Sequence, residues 1–122
     1  MDRIGRQHGR LGGMTRGDIA IASPPGSYGQ PRPVLVVHSD LFVLNSVTVL
    51  PLTSRLHDAP MVRPEIRPDG ENGLRLASQV MVDKAVTLPR DKIGQPIGRL
   101  ADEQMRTVED AMIAFLGLTV AR

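Results

Sequence analysis

The chain contains no cysteine and no tryptophan, and its only aromatic residues are one tyrosine and two phenylalanines. Without cysteine it forms no disulfide and has no thiolate nucleophile or thiolate metal ligand, which favours a reducing, cytoplasmic location. So few aromatics argue against a sheet on which several bases stack, as in RRM and OB domains. No apolar run approaches the roughly 20 residues that span a bilayer, so the sequence predicts no membrane segment.

Metal-binding and nucleotide-binding motifs are also missing. The three histidines, His8, His38 and His57, are far apart and show no metal-ligand spacing. There is no GxSxG nucleophile elbow, no GxxxxGK[ST] loop and no GxGxxG turn. The sequence therefore predicts neither a metal site nor a cofactor.

The positive charge is concentrated at the N-terminus of the 122-residue chain. Residues 1–13 contain three arginines and one aspartate, which account for the whole net charge of +2. We interpret 1–13 as a disordered basic tail and 14–122 as a single domain. Of the fifteen basic residues only Lys84 and Lys92 are lysines. The guanidinium fork suits phosphate, although biased codon usage explains the excess of arginine equally well.

Short runs of aliphatic and β-branched residues predict a mainly β, α+β fold. The predicted strands are 18–23, 32–39, 46–54, 61–67, 76–86 and 96–100, with 87–95 irregular. Pro51 predicts an edge or a bulge in the third strand. We expect a small SH3-like antiparallel barrel or curled sheet.

Residues 101–118 differ from the rest of the chain, because their apolar residues recur at helical spacing. They predict a C-terminal amphipathic helix that packs on the sheet through one stripe, which contains Met105, Val108, Met112, Phe115 and Leu116. Asp102 is the candidate N-cap, and Gly117 is suited to the residue that follows the helix.

Two polar groups stand at strand ends. Arg32 lies between two prolines at the start of an aliphatic strand, and Thr53, Ser54 and Arg55 end the next strand. Hydroxyls and a guanidinium at such a position can hold an anion. Alternatively, Thr53 and Ser54 only close a turn and Arg55 is solvated, and spacing alone favours this second interpretation.

Several segments, in this order, resemble the MazF/PemK family of toxin endoribonucleases: RGDI, GSYGQPRPVLVV, VLPLTSR, VMVDKAVTLPRDKIGQPIGRL and ADEQMRTVEDAMIAFLGL. The resemblance covers residues 15–118. It implies the CcdB/MazF-like toxin fold, a homodimer, and a cognate antitoxin with an acidic disordered tail. It also implies sequence-specific cleavage of single-stranded RNA without metal. In that reaction the 2′-hydroxyl attacks phosphorus and leaves a 2′,3′-cyclic phosphate and a 5′-hydroxyl.

The resemblance also implies roles for individual residues. Arg32 and Thr53 correspond to catalytic residues, and a guanidinium and a hydroxyl there would stabilise the charge that builds on the phosphate oxygens. The corresponding substrate-binding positions are Ser27, Tyr28, Gln30, Ser54, Arg55, Asp83 and Lys84.

Two departures from the family pattern affect these expectations. The loop 26–30 lacks the glutamate that many members carry, and Tyr28 lies nearest its position, so no acid–base role is transferred. Tyr28 either stacks on a base or packs within the loop. Lys84 replaces an amide that normally reads a base, which predicts a different base preference and a contact to phosphate.

Two other functions are compatible with such a fold. A CcdB-like toxin would bind DNA gyrase without catalysis, and an SH3-like module would only bind a partner. The CcdB-like toxin would not need Arg32 and Thr53 together, so the pair favours the nuclease. The neutral charge of residues 14–122 and the few aromatics do not support strong nucleic-acid binding by an SH3-like module.

Overall fold

The computed structural model describes residues 14–118; the predicted tail 1–13 and residues 119–122 lie outside the described residues. The described part forms a seven-stranded sheet and one α-helix, with short 3-10 helices at Val82–Lys84 and Arg90–Lys92. The strands are β1 (Asp18–Ala22), β2 (Arg32–Val36), β3 (Ser46–Thr53), β4 (Glu65–Ile66), β5 (Ser78–Val80), β6 (Val86–Pro89) and β7 (Pro96–Arg99), and helix α1 is Asp102–Leu116. The curled, mainly β architecture with a C-terminal helix is as predicted.

The sheet is antiparallel, with the order β4-β5-β3-β2-β1-β7. Strand β3 pairs with β2 on one edge, and its other edge changes partner from β6 at Ser46–Val49 to β5 at Leu52–Thr53. Pro51 lies where the partner changes, and its carbonyl accepts a hydrogen bond from the Met81 amide at 2.8 Å. The predicted edge position for Pro51 is therefore wrong, but the interrupted pairing explains why a central strand tolerates it.

The strands predicted in the second half of the chain are shorter than expected. The predicted strand 61–67 contains only β4, because Pro64 and Pro68 flank it and lack the amide hydrogen that a ladder needs. The predicted strand 76–86 ends at Val80, and the Lys84 amide then bonds the Met81 carbonyl in a 3-10 turn. The segment predicted to be irregular contributes most of β6.

Successive residues of the central strands point to opposite faces and form two core clusters. One cluster joins Leu35, Leu50 and Leu52 to helix α1, and the other packs Val34 and Val49 on the opposite face. Both faces of the central strands are therefore buried, as the unbroken apolar run of β2 indicates.

Helix α1 packs through its first three turns. Its N-cap is Ala101 rather than Asp102, and the Ala101 amide donates to Oε1 of Gln104 at 2.9 Å. At the other end Gly117 adopts a left-handed conformation with φ of 68°, as expected. The predicted apolar stripe is wrong in the last turn: Phe115 and Leu116 are 47% and 57% exposed, since the core cluster extends only to Met112. No helix in residues 14–118 is long and apolar enough to cross a membrane.

Candidate active site

The register between β2 and β3 brings Arg32 and Thr53 together. Val34 pairs with Pro51, and the same register continued by two residues places Arg32 opposite Thr53. Side chains of directly opposed residues point to the same face, with Cβ atoms about 5 Å apart. Two strand ends that are distant in sequence therefore present a guanidinium and a hydroxyl side by side.

Arg32 is held in an unusual environment for a cation. Its Nε atom is the one buried side-chain nitrogen or oxygen of residues 14–118 that lacks a hydrogen-bond partner. A buried donor without a partner costs about 1–3 kcal/mol, and native proteins leave few of them. This free-energy cost falls on Arg32, whose backbone is held rigid at the start of β2 by Pro31 and Pro33. An anion bound to Arg32 would remove it.

The hydroxyl of Thr53 is oriented by its own turn. Its Oγ1 accepts a hydrogen bond from the Arg55 amide at 3.1 Å. With that acceptor position occupied, the hydroxyl hydrogen remains available to donate to a ligand. Thr53 thus does close a turn, as one interpretation predicted, and the same bond leaves its hydroxyl hydrogen free to donate.

Arg32 separates two cavities at this end of the sheet. The cavity on the Thr53 side has a volume of about 430 Å³ and includes Gln30 and Ser54 in its lining. We call it the Thr53 cavity. The structure therefore brings these two predicted binding residues to the same site as Arg32 and Thr53.

The cavity on the other side of Arg32, which we call the Lys84 cavity, has a volume of about 410 Å³. Ser27 and Lys84, two of the predicted substrate-binding residues, line it. Ser27 is buried, however, and its Oγ donates to the Pro24 carbonyl at 2.6 Å, so its hydroxyl hydrogen stabilises the loop. Within the described part of the chain, the Lys84 ammonium interacts electrostatically with Asp83, but no hydrogen bond or ion pair engages it.

The charged residues that line the two cavities are all positive. Arg32 lines both of them, Lys84 lines one and Arg75 the other, and among residues 14–118 no Asp, Glu or His lines either cavity. Such a surface attracts an anionic ligand. Across residues 14–118, no three His, Asp or Glu side chains converge into a group that could hold a metal ion.

Three of the predicted substrate-binding residues lie outside these cavities. The Tyr28 side chain is 97% exposed, at a positive φ of 55°, so the alternative in which it packs within the loop is wrong. The Arg55 side chain is exposed and lines neither cavity. The roles of Tyr28 and Arg55 toward a substrate stay predictions.

The third of these residues, Asp83, has a partner within the protein. Its two carboxylate oxygens accept hydrogen bonds from the Arg63 guanidinium at 2.8 and 3.0 Å. The hydrogen bond from Arg63 lowers the pKa of the Asp83 carboxyl below its ordinary 3.8, although partial burial opposes the shift. The carboxylate is thus ionised and engaged, and the pair fixes the 3-10 turn that carries Lys84.

Sequence reasoning missed two residues that shape the site. Gln79, which is buried, donates to the His57 carbonyl at 2.7 Å and accepts from the His57 amide at 3.0 Å. These two hydrogen bonds to the His57 backbone fix the loop that follows Thr53. Arg75 lines the Thr53 cavity from the loop between β4 and β5. Neither residue lies in a motif: the pairing of β5 with β3 places Gln79 here, and the docking of the β4–β5 loop on β7 places Arg75.

The fold and the site together define a small β-rich domain in which an arginine and a threonine line one cavity at the end of the sheet. Residues 15–116 match the sequence profile of PemK-like, MazF-like toxins of type II toxin–antitoxin systems. The chain belongs to this family.

Individual relatives agree with the family assignment. The chain is 43% identical over 107 residues to the protein named "Probable endoribonuclease MazF" of Mycolicibacterium smegmatis, with 86% of this chain and 98% of the relative covered. Its structure is similar to the toxin MazF-mt6 of Mycobacterium tuberculosis, with a TM-score of 0.73, 27% identity, and 84% and 99% of the two chains covered. The same fold occurs in a mycobacterial endoribonuclease solved in complex with its cognate antitoxin, with a TM-score of 0.72, 21% identity, and 88% and 99% covered.

Proposed function

We propose that this protein is the endoribonuclease toxin of a toxin–antitoxin pair and that Arg32 and Thr53 carry the reaction. The observation that carries the proposal is the buried, unpartnered Nε of Arg32, opposite a threonine hydroxyl and between two cavities without acidic residues. This arrangement leaves the protein with an unsatisfied donor unless an anion binds. A phosphodiester with a nucleotide on either side fits such a site.

The chemistry follows from where charge develops during phosphodiester cleavage. The ribose 2′-oxygen attacks phosphorus and the bond to the 5′-oxygen breaks, which gives a 2′,3′-cyclic phosphate and a 5′-hydroxyl. In the transition state the non-bridging oxygens gain negative charge. Donors from Arg32 and Thr53 that are already in place stabilise this charge more than that of the ground state. Removing one such donor typically costs about 10²–10³ in rate.

Two protons must also move in this reaction. The 2′-hydroxyl loses one and the departing 5′-oxygen gains one. Because no histidine or carboxylate of residues 14–118 lines the cavities, we assign both transfers to water at the site. The rate should then show no inflection between pH 5 and 8 from an imidazole or a perturbed carboxyl.

The unpaired cations also account for how such a toxin is silenced. An acidic, disordered antitoxin tail would occupy Arg32 and Lys84 and exclude RNA, and it would fold as it binds. We include the homodimer and the cytoplasmic location of RNA and antitoxin in the proposal. The CcdB-like alternative is not favoured, because gyrase binding would not require an unsatisfied arginine beside Thr53.

The proposal is tested by incubating the purified protein with mixed-sequence RNA in EDTA and analysing the new ends. We expect cyclic phosphate and 5′-hydroxyl ends, which Arg32→Ala should abolish. Arg106→Ala is the matched control, because Arg106 is an exposed arginine of α1 outside both cavities. It should cleave at the wild-type rate.

Two outcomes would contradict the proposal. Cleavage by Arg32→Ala at the normal rate would remove Arg32 from the reaction. Failure of the folded wild-type protein to cut any RNA, together with binding to gyrase, would favour the non-enzymatic toxin.

A further inference from the structure

One wall of the Thr53 cavity is formed by the loop that joins β4 to β5. In this loop Asn72 is fully buried, and its Oδ1 accepts hydrogen bonds from the amides of Asp69 and Leu74 at 3.3 and 3.0 Å. Its Nδ2 donates to the Arg67 carbonyl at 2.9 Å. One side chain thus satisfies three backbone groups, which fixes the loop immediately before Arg75.

The loop also docks closely on the edge strand β7. Gly73 has a positive φ of 73°, and a Cβ at this position would lie 2.3 Å from the Ile97 carbonyl oxygen. Only glycine allows this approach. Gly98 makes the reciprocal contact, because a Cβ there would lie 2.3 Å from the carbonyl carbon of Asn72. The wall is therefore held rigidly against the sheet without a ligand.

The lining that this loop contributes to the cavity is mainly apolar, and the exposed Arg75 is its one cation. Leu52 and Leu74 are buried in the lining, whereas Leu76 and Ile97 are 62% and 40% exposed. Arg75 lies between Leu74 and Leu76 in sequence, and no hydrogen bond or ion pair engages its side chain within residues 14–118. Exposed leucine and isoleucine beside a free guanidinium on an ordered wall suit a ligand that is planar, apolar on its faces and polar at its edge.

We propose that the Thr53 cavity binds the nucleobase of the nucleotide next to the cleaved phosphate, and that Arg75 recognises its edge. This inference rests on the proposed function, since Arg32, at the boundary of the cavity, must hold the phosphate. The aliphatic wall packs on the faces of the base, and Arg75 donates to hydrogen-bond acceptors at its edge. Guanine, which presents O6 and N7 to a guanidinium fork, is the base that fits best.

The experiment uses the full chain and a single RNA whose cleavage site has been mapped with the wild-type protein. The nucleotides on each side of the cut are replaced one at a time by abasic residues, in an RNA made uncleavable by a 2′-deoxy residue at the cut. Binding is measured for the wild type, for Arg75→Ala, for Leu76→Ala and for the control Arg106→Ala.

We expect one position next to the cut at which loss of the base weakens wild-type binding about ten-fold, the size of one stacking contact. At that position Arg75→Ala and Leu76→Ala should bind intact RNA about ten-fold more weakly than wild type and be insensitive to the abasic residue. Arg106→Ala should behave as wild type. In cleavage of a randomised RNA pool, Arg75→Ala should lose a guanine preference at the same position.

Three results would overturn the inference, and they are distinguishable from failure of the proposed function. If wild type cleaves RNA but both variants keep its full abasic profile, the cavity does not hold a base. If Arg75→Ala weakens binding equally for every RNA and lowers the salt slope by about 0.7, Arg75 binds backbone phosphate instead. If Arg75→Ala keeps a wild-type guanine preference in the pool, Arg75 does not read the edge. Absence of any cleavage by wild type would remove the proposed function first and this inference with it.

Discussion

Two groups of arginines in this protein differ in whether a carboxylate of the protein pairs with them. Arg16, Arg63 and Arg99 each form an ion pair with a carboxylate, namely Glu109, Asp83 and Asp18. Arg32 and Arg75 line the Thr53 cavity, and neither has a partner within the described part of the chain. The first group joins elements of the fold, and the second leaves its donors for a ligand.

The ion-paired arginines stabilise the fold, whereas we assign the unpaired arginines to ligand binding. Asp18 is buried, accepts from Arg99 at 2.8 Å and from the Thr15 amide at 2.9 Å, and so ties β1 to β7. Arg32 has the same chemistry as Arg99, but no carboxylate of residues 14–118 pairs with it. Proteins commonly give up stability at functional sites in this way. The comparison predicts that substitutions in the two groups will change different measurements.

The largest expected effect is on the reaction itself. Thr53→Val keeps the shape of the side chain but removes the hydroxyl donor opposite Arg32, so the cleavage rate should fall about 100-fold. The temperature of unfolding should change little, because Thr53 is partly exposed. Thr53→Ser is the matched control and should retain most of the activity. An unaffected rate in Thr53→Val would exclude the hydroxyl from transition-state stabilisation.

The next effect concerns stability alone. Asp18→Asn replaces a buried carboxylate by an amide that cannot satisfy both Arg99 and the Thr15 amide. We expect the free energy of unfolding to fall by about 2 kcal/mol, with the cleavage rate per folded molecule unchanged. Denaturant unfolding measures the first and an activity assay at low temperature the second. Full stability in Asp18→Asn would show that the paired arginines do not hold the fold together.

The smallest effect depends on pH. Arg63 lowers the pKa of Asp83 below 3.8 in the folded protein, so the pair stabilises the fold above the unfolded-state pKa. The contribution is lost as the pH falls through the lower, folded-state pKa. Asp83→Asn should therefore cost up to about 1 kcal/mol at pH 7, as expected for a solvent-screened pair. It should also reduce the loss of stability below pH 4. An equal loss in both proteins would locate the acid sensitivity elsewhere.

Much of the fold could be predicted from the sequence because its signals are local. The aliphatic runs of β1, β2 and β3 predict strands directly, and Gly117 marks the end of the helix. The short β4 was predictable, since Pro64 and Pro68 in the sequence limit it, whereas the overhang of Phe115 was not, because it depends on where the core ends. The N-cap at Ala101 was missed because Gln104 replaces the usual side-chain cap.

The candidate site likewise contains residues that the sequence predicts and residues that it does not. Arg32 and Thr53 follow from motif resemblance, and their register across β2 and β3 explains why the motif has two separate parts. Asp83 has residue chemistry suited to binding, but the sequence gives no sign that Arg63, twenty residues earlier, engages it. Arg75 belongs to no motif, and it reaches the site only because Asn72 and Gly73 dock its loop on β7.

The most direct test of the account measures unfolding free energy and RNA cleavage in parallel for Arg32→Leu and Arg63→Leu. Leucine retains apolar volume at both positions and removes the guanidinium. We predict that Arg32→Leu abolishes cleavage and raises stability by about 1 kcal/mol, since it removes a buried donor without a partner. Arg63→Leu should lower stability by up to about 1 kcal/mol and retain cleavage, at a rate reduced at most modestly through the turn that carries Lys84. The reverse pattern, with Arg32→Leu less stable and still active, would contradict the division between structural and functional arginines.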